Sequence, residues 1–287
     1  ILKKWIIDKR GDKPRFKCKE RPMILQPFAS EDVERIGKLQ PETWPDIKPI
    51  FAYYIKSTFC HPIKLEIDHD IVGVGAAISY EKTGWLAHII VSDGYRNQGI
   101  GGFIVDELCR YLKALGHETI LLIATELGYP VYKKAGFEEE TKYLYLKSDK
   151  PLHFETSNNI LPITPEYFPE ISKLDRKATG EGRQALLADY WHEGFIYLGK
   201  QGMRGFYLPN FVEGQVLAED PEAGIELLKL RCAYTQRAAL PADNEAALRF
   251  YRENGYEVVL KATRMVLGRK IAWRPDKIFN RIGGNFG

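Results

Sequence analysis

The stretch Val91-Ser-Asp-Gly-Tyr-Arg-Asn-Gln-Gly-Ile-Gly-Gly102 limits what this chain can fold into more than any other. The β-branched, apolar run Trp85-Leu-Ala-His-Ile-Ile-Val91 leads into it and an amphipathic segment follows, so the pattern predicts a turn from a strand into a helix. Gly99, Gly101 and Gly102 remove side chains at the start of that helix, where a ligand would approach the backbone. Arg96, Asn97, Gln98, Gly99, Ile100, Gly101 and Gly102 then present successive N–H groups at the positive end of a helix dipole, a setting for a pyrophosphate. Two better-known phosphate loops do not fit. There is no Gly-Lys-Ser/Thr, and Ile104 stands where a dinucleotide fingerprint needs its third glycine.

The surrounding pattern completes an α/β (α+β) domain. Met23 to Phe28 reads as a short strand, and Ser30 caps a helix whose apolar face carries Val33, Ile36 and Leu39 until Pro41. Ile47 to Phe59 offers a second helix rich in aromatics. Ile63 to Asp68 alternates with period two, His69-Asp70 turns, and Ile71 to Tyr80 returns as a hairpin partner. After the glycine turn, Ile104, Leu108, Leu112 and Leu115 form one stripe of a helix ending at Gly116. Thr119 to Ala124 is continuously apolar, as a buried parallel strand should be. A short helix follows, entered through Pro130 and closed at Gly136, and then the strand Tyr143-Leu-Tyr-Leu.

Residues 148 to 159 are polar and read as a linker, beyond which the pattern starts again. Pro27, Glu31, Ile36, Lys38 and Leu39 match Pro162, Glu166, Ile171, Lys173 and Leu174; Tyr132, Gly136 and Phe137 match Tyr251, Gly255 and Tyr256. A tandem duplication is expected: a basic extension over 1–21, a first domain over 22–148 and a second over 149–287, each a mixed central sheet flanked by helices. In the second copy Phe206 to Ala218 supplies the central strand, but the acidic Glu219-Asp-Pro-Glu-Ala-Gly stands where the glycine loop should be. Acids and Pro221 there would repel a pyrophosphate and leave fewer N–H groups to bind it.

Two segments of the first copy together resemble the GNAT acyltransferase superfamily. Arg96, Gly99 and Gly101 behind the strand resemble its acyl-CoA loop, Arg/Gln-x-x-Gly-x-Gly/Ala, and Tyr132, Gly136 and Phe137 resemble its second signature, Tyr-x-x-x-Gly-Phe. In the second copy Asn244, Ala247, Tyr251 and Gly255 follow the second signature more closely than the first copy, where Thr125 replaces the Asn. The whole resembles bacterial tandem GNAT proteins with an active first copy and a degenerate second one. The resemblance implies acetyl-CoA as acyl donor and direct attack on its thioester by a primary amine of a small-molecule or amino-acid-like acceptor. It implies further that Ile90, Val91, the loop 96–102 and Thr125 hold the cofactor, and that Tyr132 gives the departing thiolate its proton. His88, the only histidine on the loop strand, is a candidate base, with Glu81 and Glu126 comparable; side-chain alternation puts Trp85 and Ala87, where family bases align better, on the opposite face. In the second copy Asp175-Arg-Lys-Ala-Thr-Gly-Glu-Gly-Arg183 resembles a segment of such partner domains. Asp175 could reach an amine or Arg183 a carboxylate, and an internal Asp/Arg pair is at least as good a reading.

Composition narrows the classes. Residues 1 to 21 hold nine Lys/Arg against three Asp/Glu, leaving 32 against 35 elsewhere, so the body is slightly acidic and no nucleic-acid partner is expected. No apolar run approaches a membrane span, and no membrane partner is expected; the protein is read as cytoplasmic, a monomer or homodimer. Cys18, Cys60, Cys109 and Cys232 lie far apart with no histidine at ligand spacing, so reduced thiols and no metal are expected. The alternative to catalysis is a non-catalytic acyl-CoA-binding sensor or scaffold. Aminoacyl-tRNA-dependent peptide-bond formation is disfavoured by the intact loop and the acidic body.

Overall fold

The structure, a computed structural model, describes residues 15–18, 21–42 and 44–287. Of the basic extension, Arg15–Cys18 forms strand β1, and most of the remainder lies outside the described residues. The chain divides into two compact units. One runs to Ile120 and takes in Pro130–Phe137; the other comprises Leu121–Tyr129 and Glu138–Gly287.

In the first unit β1, β2 (Arg21–Pro27), β3 (Cys60–Ile67), β4 (Asp70–Ser79) and β5 (Thr83–Val91) pair in that order, all antiparallel. The β3–β4 hairpin is present but turns at Asp68 and His69, both with positive φ, one residue before the expected His69-Asp70, and Asp70 opens β4. Helix α1 (Lys48–Lys56) buries Phe51 and Tyr54. The expected helix from Ser30 is instead two 3-10 segments, Ser30–Asp32 and Arg35–Leu39. The carboxylate of the buried Asp32 accepts from the Ala29 N–H and pairs with Lys64 and Arg35 at 2.7 Å, which ties down the first turn before a second can form.

Helix α2 (Ile100–Ala114) packs on the sheet through Ile104, Leu108 and Leu112 of its expected stripe, while Leu115, the fourth member, lies past the last helical turn and is exposed. Strand glycines let it approach closely. A Cβ at Gly75 would lie 2.8 Å from Ile104 and one at Gly84 2.6 Å from Leu112. Strand β6 (Thr119–Ala124) and the short helix α3 (Tyr129–Lys134) follow.

In the second unit β7 (Glu138–Lys147), which the sequence reading groups with the first domain, lies between β12 (Arg237–Pro241) and β13 (Glu257–Gly268) and pairs antiparallel with both. A second sheet contains β8 (Ile160–Pro162), β9 (Phe195–Gly199), β10 (Gly202–Leu208), β11 (Gln215–Ala218) and β14 (Ile278–Asn280), each antiparallel to its neighbour. The single central strand expected over 206–218 is thus the hairpin β10–β11, turned at Pro209 to Gly214, where Gly214 takes positive φ. Helices α4 (Phe168–Thr179), α5 (Gln184–Ala188), α6 (Pro221–Cys232) and α7 (Glu245–Glu253) complete this unit. Its core joins Leu227 and Leu228 of α6, Val216 and Ala218 of β11, Leu144 and Leu146 of β7, and Tyr251. Among the described residues no helix is long and apolar enough to cross a membrane, and Cys60, Cys109 and Cys232 are buried outside any disulfide.

Candidate functional site: an uncapped helix start beside a strand bulge

The glycine stretch folds as expected into a short 3-10 turn, Asp93–Tyr95, then a bend, then α2. Asn97 and Gly99 take φ of +60° and +83°, which swings the chain into the helix axis. Arg96 braces this bend: its guanidinium pairs with Asp93 at 2.7 Å and donates to the Val91 carbonyl at 3.2 Å. Gln98 donates to the Gly94 carbonyl at 3.1 Å. Both side chains therefore hold the loop's shape, and the groups an anion would meet there are backbone amides.

Helix α2 begins with no side-chain cap and no acid in its first turn. Most helices satisfy their first N–H groups with a cap residue. Gly101 and Gly102 sharpen the point. Neither carries a positive φ, and a Cβ at Gly102 would meet nothing within 4 Å, while at Gly101 it would meet only Val91 at 3.9 Å. Folding alone does not require glycine at either place, and each lowers helix propensity by about 0.8–1 kcal/mol against alanine. The space is open on the side from which a ligand would come.

Strand β5 feeds this loop and carries an irregularity that alternation does not foresee. Val74 faces Ile90 while Ala76 faces Ala87, so Gly75 alone stands against His88 and Ile89. His88 takes φ +47°, the left-handed region, as a non-glycine residue in a strand. A bulge of this kind interrupts the ladder and leaves backbone groups unpaired. Ile90 is buried and Val91 half-buried where the strand meets the loop.

The His88 ring sits in an aromatic surround of Trp44, Phe51 and Tyr54, with ring centroids 5.7–5.9 Å away. Its Nδ1 shares a 2.8 Å hydrogen bond with the Tyr54 hydroxyl. Burial lowers its pKa to about 4, so the ring is neutral at pH 7 and a weak proton acceptor. Tyr54 is the residue sequence reasoning missed, although its place in the aromatic helix, facing the sheet, was a signal.

Tyr132, on α3, is half-buried and packs edge-on to Phe137 at 6.0 Å. Burial, and after it the neighbouring Cys109, raises its pKa above the ordinary phenol value, so it keeps its proton at neutral and moderately alkaline pH. Its hydroxyl makes no hydrogen bond among the described residues. Thr125, by contrast, lies in the second unit, where its hydroxyl accepts from the Gly128 N–H and its carbonyl from the Tyr129 N–H. Glu81 and Glu126 are exposed turn residues.

The second unit answers the same positions differently. Asp220 caps α6, accepting from the Ala223 N–H at 3.1 Å, and Pro221 occupies the first helical position. Tyr251, the counterpart of Tyr132, is fully buried, 4.8 Å from the Tyr256 ring and 3.5 Å from the Arg231 guanidinium. Asp175 and Arg183 do not face a ligand. They form a buried two-point ion pair, with Arg183 also donating to the Phe286 carbonyl at 2.8 Å and Gln215 donating to Asp175 at 3.2 Å.

Comparison with known proteins agrees with this geometry. Residues 29–137 match the profile described as Acetyltransferase (GNAT) family. A protein of Pyrococcus horikoshii, provisionally named an acetyltransferase, superposes with a TM-score of 0.82 at 20% identity, over 96% of this chain and 98% of its own. A GCN5-related N-acetyltransferase of Sphaerobacter thermophilus gives 0.64 at 13% identity, over 88% and 98%. A tandem GNAT protein from the clavulanic acid biosynthesis pathway gives 0.58 at 13% identity, over 87% and 99%. No curated protein matches the sequence. Residues 29–137 thus carry a GNAT acetyltransferase domain, in a chain whose fold is that of the GNAT structures.

Proposed function

We propose that this protein is an acetyl-CoA-dependent N-acetyltransferase that acylates a primary amine of a small-molecule or amino-acid-like acceptor by direct attack. In this reading the first copy binds the donor, and the second is a degenerate GNAT-like copy that does not. The observation that carries it is the start of α2, uncapped and bearing two glycines that neither backbone conformation nor packing demands. A pyrophosphate there would accept the amides of Ile100, Gly101 and Gly102 and meet the helix dipole. Arg96, Asn97, Gln98 and Gly99 would shape the loop around it, with Ile90 and Val91 as the strand edge leading to it. Thr125 stays a cofactor-binding candidate of the reading.

The chemistry follows from the same elements. The acceptor nitrogen's lone pair adds to the thioester carbonyl carbon, and negative charge gathers on the carbonyl oxygen. The bulge at His88 and Ile89 offers backbone N–H groups to that oxygen, a preorganised donor of the kind worth about 10²- to 10³-fold in rate. The C–S bond then breaks, the thiolate takes the Tyr132 proton, the amide nitrogen loses its extra proton to water, and water returns a proton to the Tyr132 phenolate. Tyr132 keeps its proton at neutral pH and so can hydrogen-bond to the departing sulfur, while its raised pKa makes it a weaker acid than a free phenol. An amine of pKa near 10.4 must first shed a proton, costing about 4–5 kcal/mol at pH 7. His88, bound to Tyr54 and depressed to about 4, is poorly suited to help with that, which leaves the amine to lose its proton to solvent.

Calorimetric titration with acetyl-CoA, followed by thiol release against a panel of amines, tests the reading. Binding with selective turnover is expected. Binding without turnover on any amine would turn the reading to the acyl-CoA sensor, and absence of binding would sink both. Within an active enzyme, Tyr132→Phe should lower kcat about 100-fold at unchanged acetyl-CoA affinity.

A further inference from the structure

Left-handed backbone at a histidine inside a strand is costly and persists only where the surroundings hold it. Here they do so from one side. Helix α1 supplies Phe51 and Tyr54, both buried, and the 41–47 segment supplies Trp44, which meets the His88 ring edge-on at 5.8 Å. The 2.8 Å bond from the Tyr54 hydroxyl fixes the ring's rotation as well as its place. Across the strand, Gly75 leaves room for Ile89, whose Cγ1 would lie 3.4 Å from a Cβ there. The imidazole is thus committed to the protein at its Nδ1 and on its faces, while the strand's only left-handed residue is the one that carries it.

From this we infer that Tyr54 and His88 are positioning residues: the Tyr54–His88 pair latches the β5 bulge and so aims its backbone amides at the acyl carbonyl of the donor. His88 acts through its backbone conformation and not as a proton acceptor. The inference rests on the donor reading above.

Two substitutions at 88 separate conformation from side chain. Glycine adopts positive φ freely, whereas valine, β-branched, resists it. The readout is the carbonyl signal of bound [1-13C]acetyl-CoA, which moves downfield when the oxygen accepts a hydrogen bond, with calorimetric Kd for CoA itself as the control for an intact fold. In the wild type the bound carbonyl should lie downfield of free acetyl-CoA. His88→Val should return it to the free position with the CoA Kd within about twofold. His88→Gly should recover the downfield signal, and Tyr54→Phe should leave it intermediate or broadened. A downfield carbonyl in both His88→Val and Tyr54→Phe would overturn the latch, as would its loss in His88→Gly as complete as in His88→Val. Wild-type binding with an unmoved carbonyl would overturn the inference alone, whereas no wild-type binding would remove the donor reading and the inference with it.

Discussion

The starts of α2 and α6, one in each unit, have opposite electrostatics. At α2 the chain withholds every cap: Gly99 in the left-handed region, no acid in the first turn, and glycines at 101 and 102. At α6 it supplies them all, with Asp220 on the Ala223 N–H, Glu222 in the first turn, and Arg204 bridging both carboxylates at 2.7 and 3.1 Å. Glu219 beside it is held by Lys177 and Lys277. A helix start whose N–H groups and dipole already meet its own carboxylates offers less to an added anion. The second unit goes further, since β14 pairs with β11 through Val216 and Leu217, and the Arg281 N–H donates to the Ala239 carbonyl of β12 at 2.8 Å. The chain's own C-terminal segment thereby bridges two strands, and Asn280 adds a bond to the Ala239 N–H at 2.9 Å. The two regions thus differ in whether side chains already meet the polar groups of the backbone.

The comparison breaks most readily at Asp175. Its removal strands the buried Arg183, and Asp175→Ala should destabilise the second unit by about 3–5 kcal/mol, measured by denaturant unfolding. A fully stable Asp175→Ala protein with altered acceptor kinetics would show instead that this pair belongs to a site. At α2 the expected loss is in binding: Gly101→Asp should weaken acetyl-CoA by at least about 100-fold, or 2.7 kcal/mol, in calorimetry. Unchanged affinity would remove the difference between the two helix starts.

Acid sharpens the contrast between units. His61, His88 and His117 all lie in the first unit with pKa values lowered chiefly by burial, the first two to about 4. An unfolded histidine near 6.5 takes up a proton that the folded one refuses, so stability is intact above pH 6.5 and falls as pH drops toward 4. Each such group removes at most about 1.4 kcal/mol per pH unit over that window. His153 and His192, in the second unit, are exposed. Amide-exchange protection factors, each referred to the intrinsic rate at its own pH, should therefore fall between pH 7.5 and pH 5 in β3 to β5 and α2 and not in β9 to β11; a uniform fall would contradict this. The smallest effect is expected at the cap. Asp220→Ala should cost about 1 kcal/mol of stability and create no acetyl-CoA site, because Glu219, Glu222 and Pro221 remain.

Much of this was legible in the residues. The glycine turn, the α2 stripe, the β3–β4 hairpin and the tyrosine signature are local patterns in which spacing and turn chemistry dictate conformation, and they fold close to where the sequence puts them. The readings that shifted depended on partners distant in sequence. Ser30 begins 3-10 turns because Asp32 is claimed by Lys64, thirty-two residues on. The run 206–218 is a hairpin because Gly214 turns it back, and β7 pairs with strands a hundred residues later.

What the sequence determined by itself is the uncapped, glycine-rich start of α2 and the acid-capped start of α6, since glycine and acid at a helix start act within a few ångströms of where they stand. What tertiary structure decided is the role of the side chains around them. Arg96 turns back onto Asp93, Asp175 and Arg183 close on each other, and His88 is pinned by Tyr54 at a bulge that breaks the strand's alternation. Periodicity assigns a side chain to a face of its own element; which group it meets there is settled by other elements packing against it, and a long-range hydrogen bond leaves no trace in local spacing.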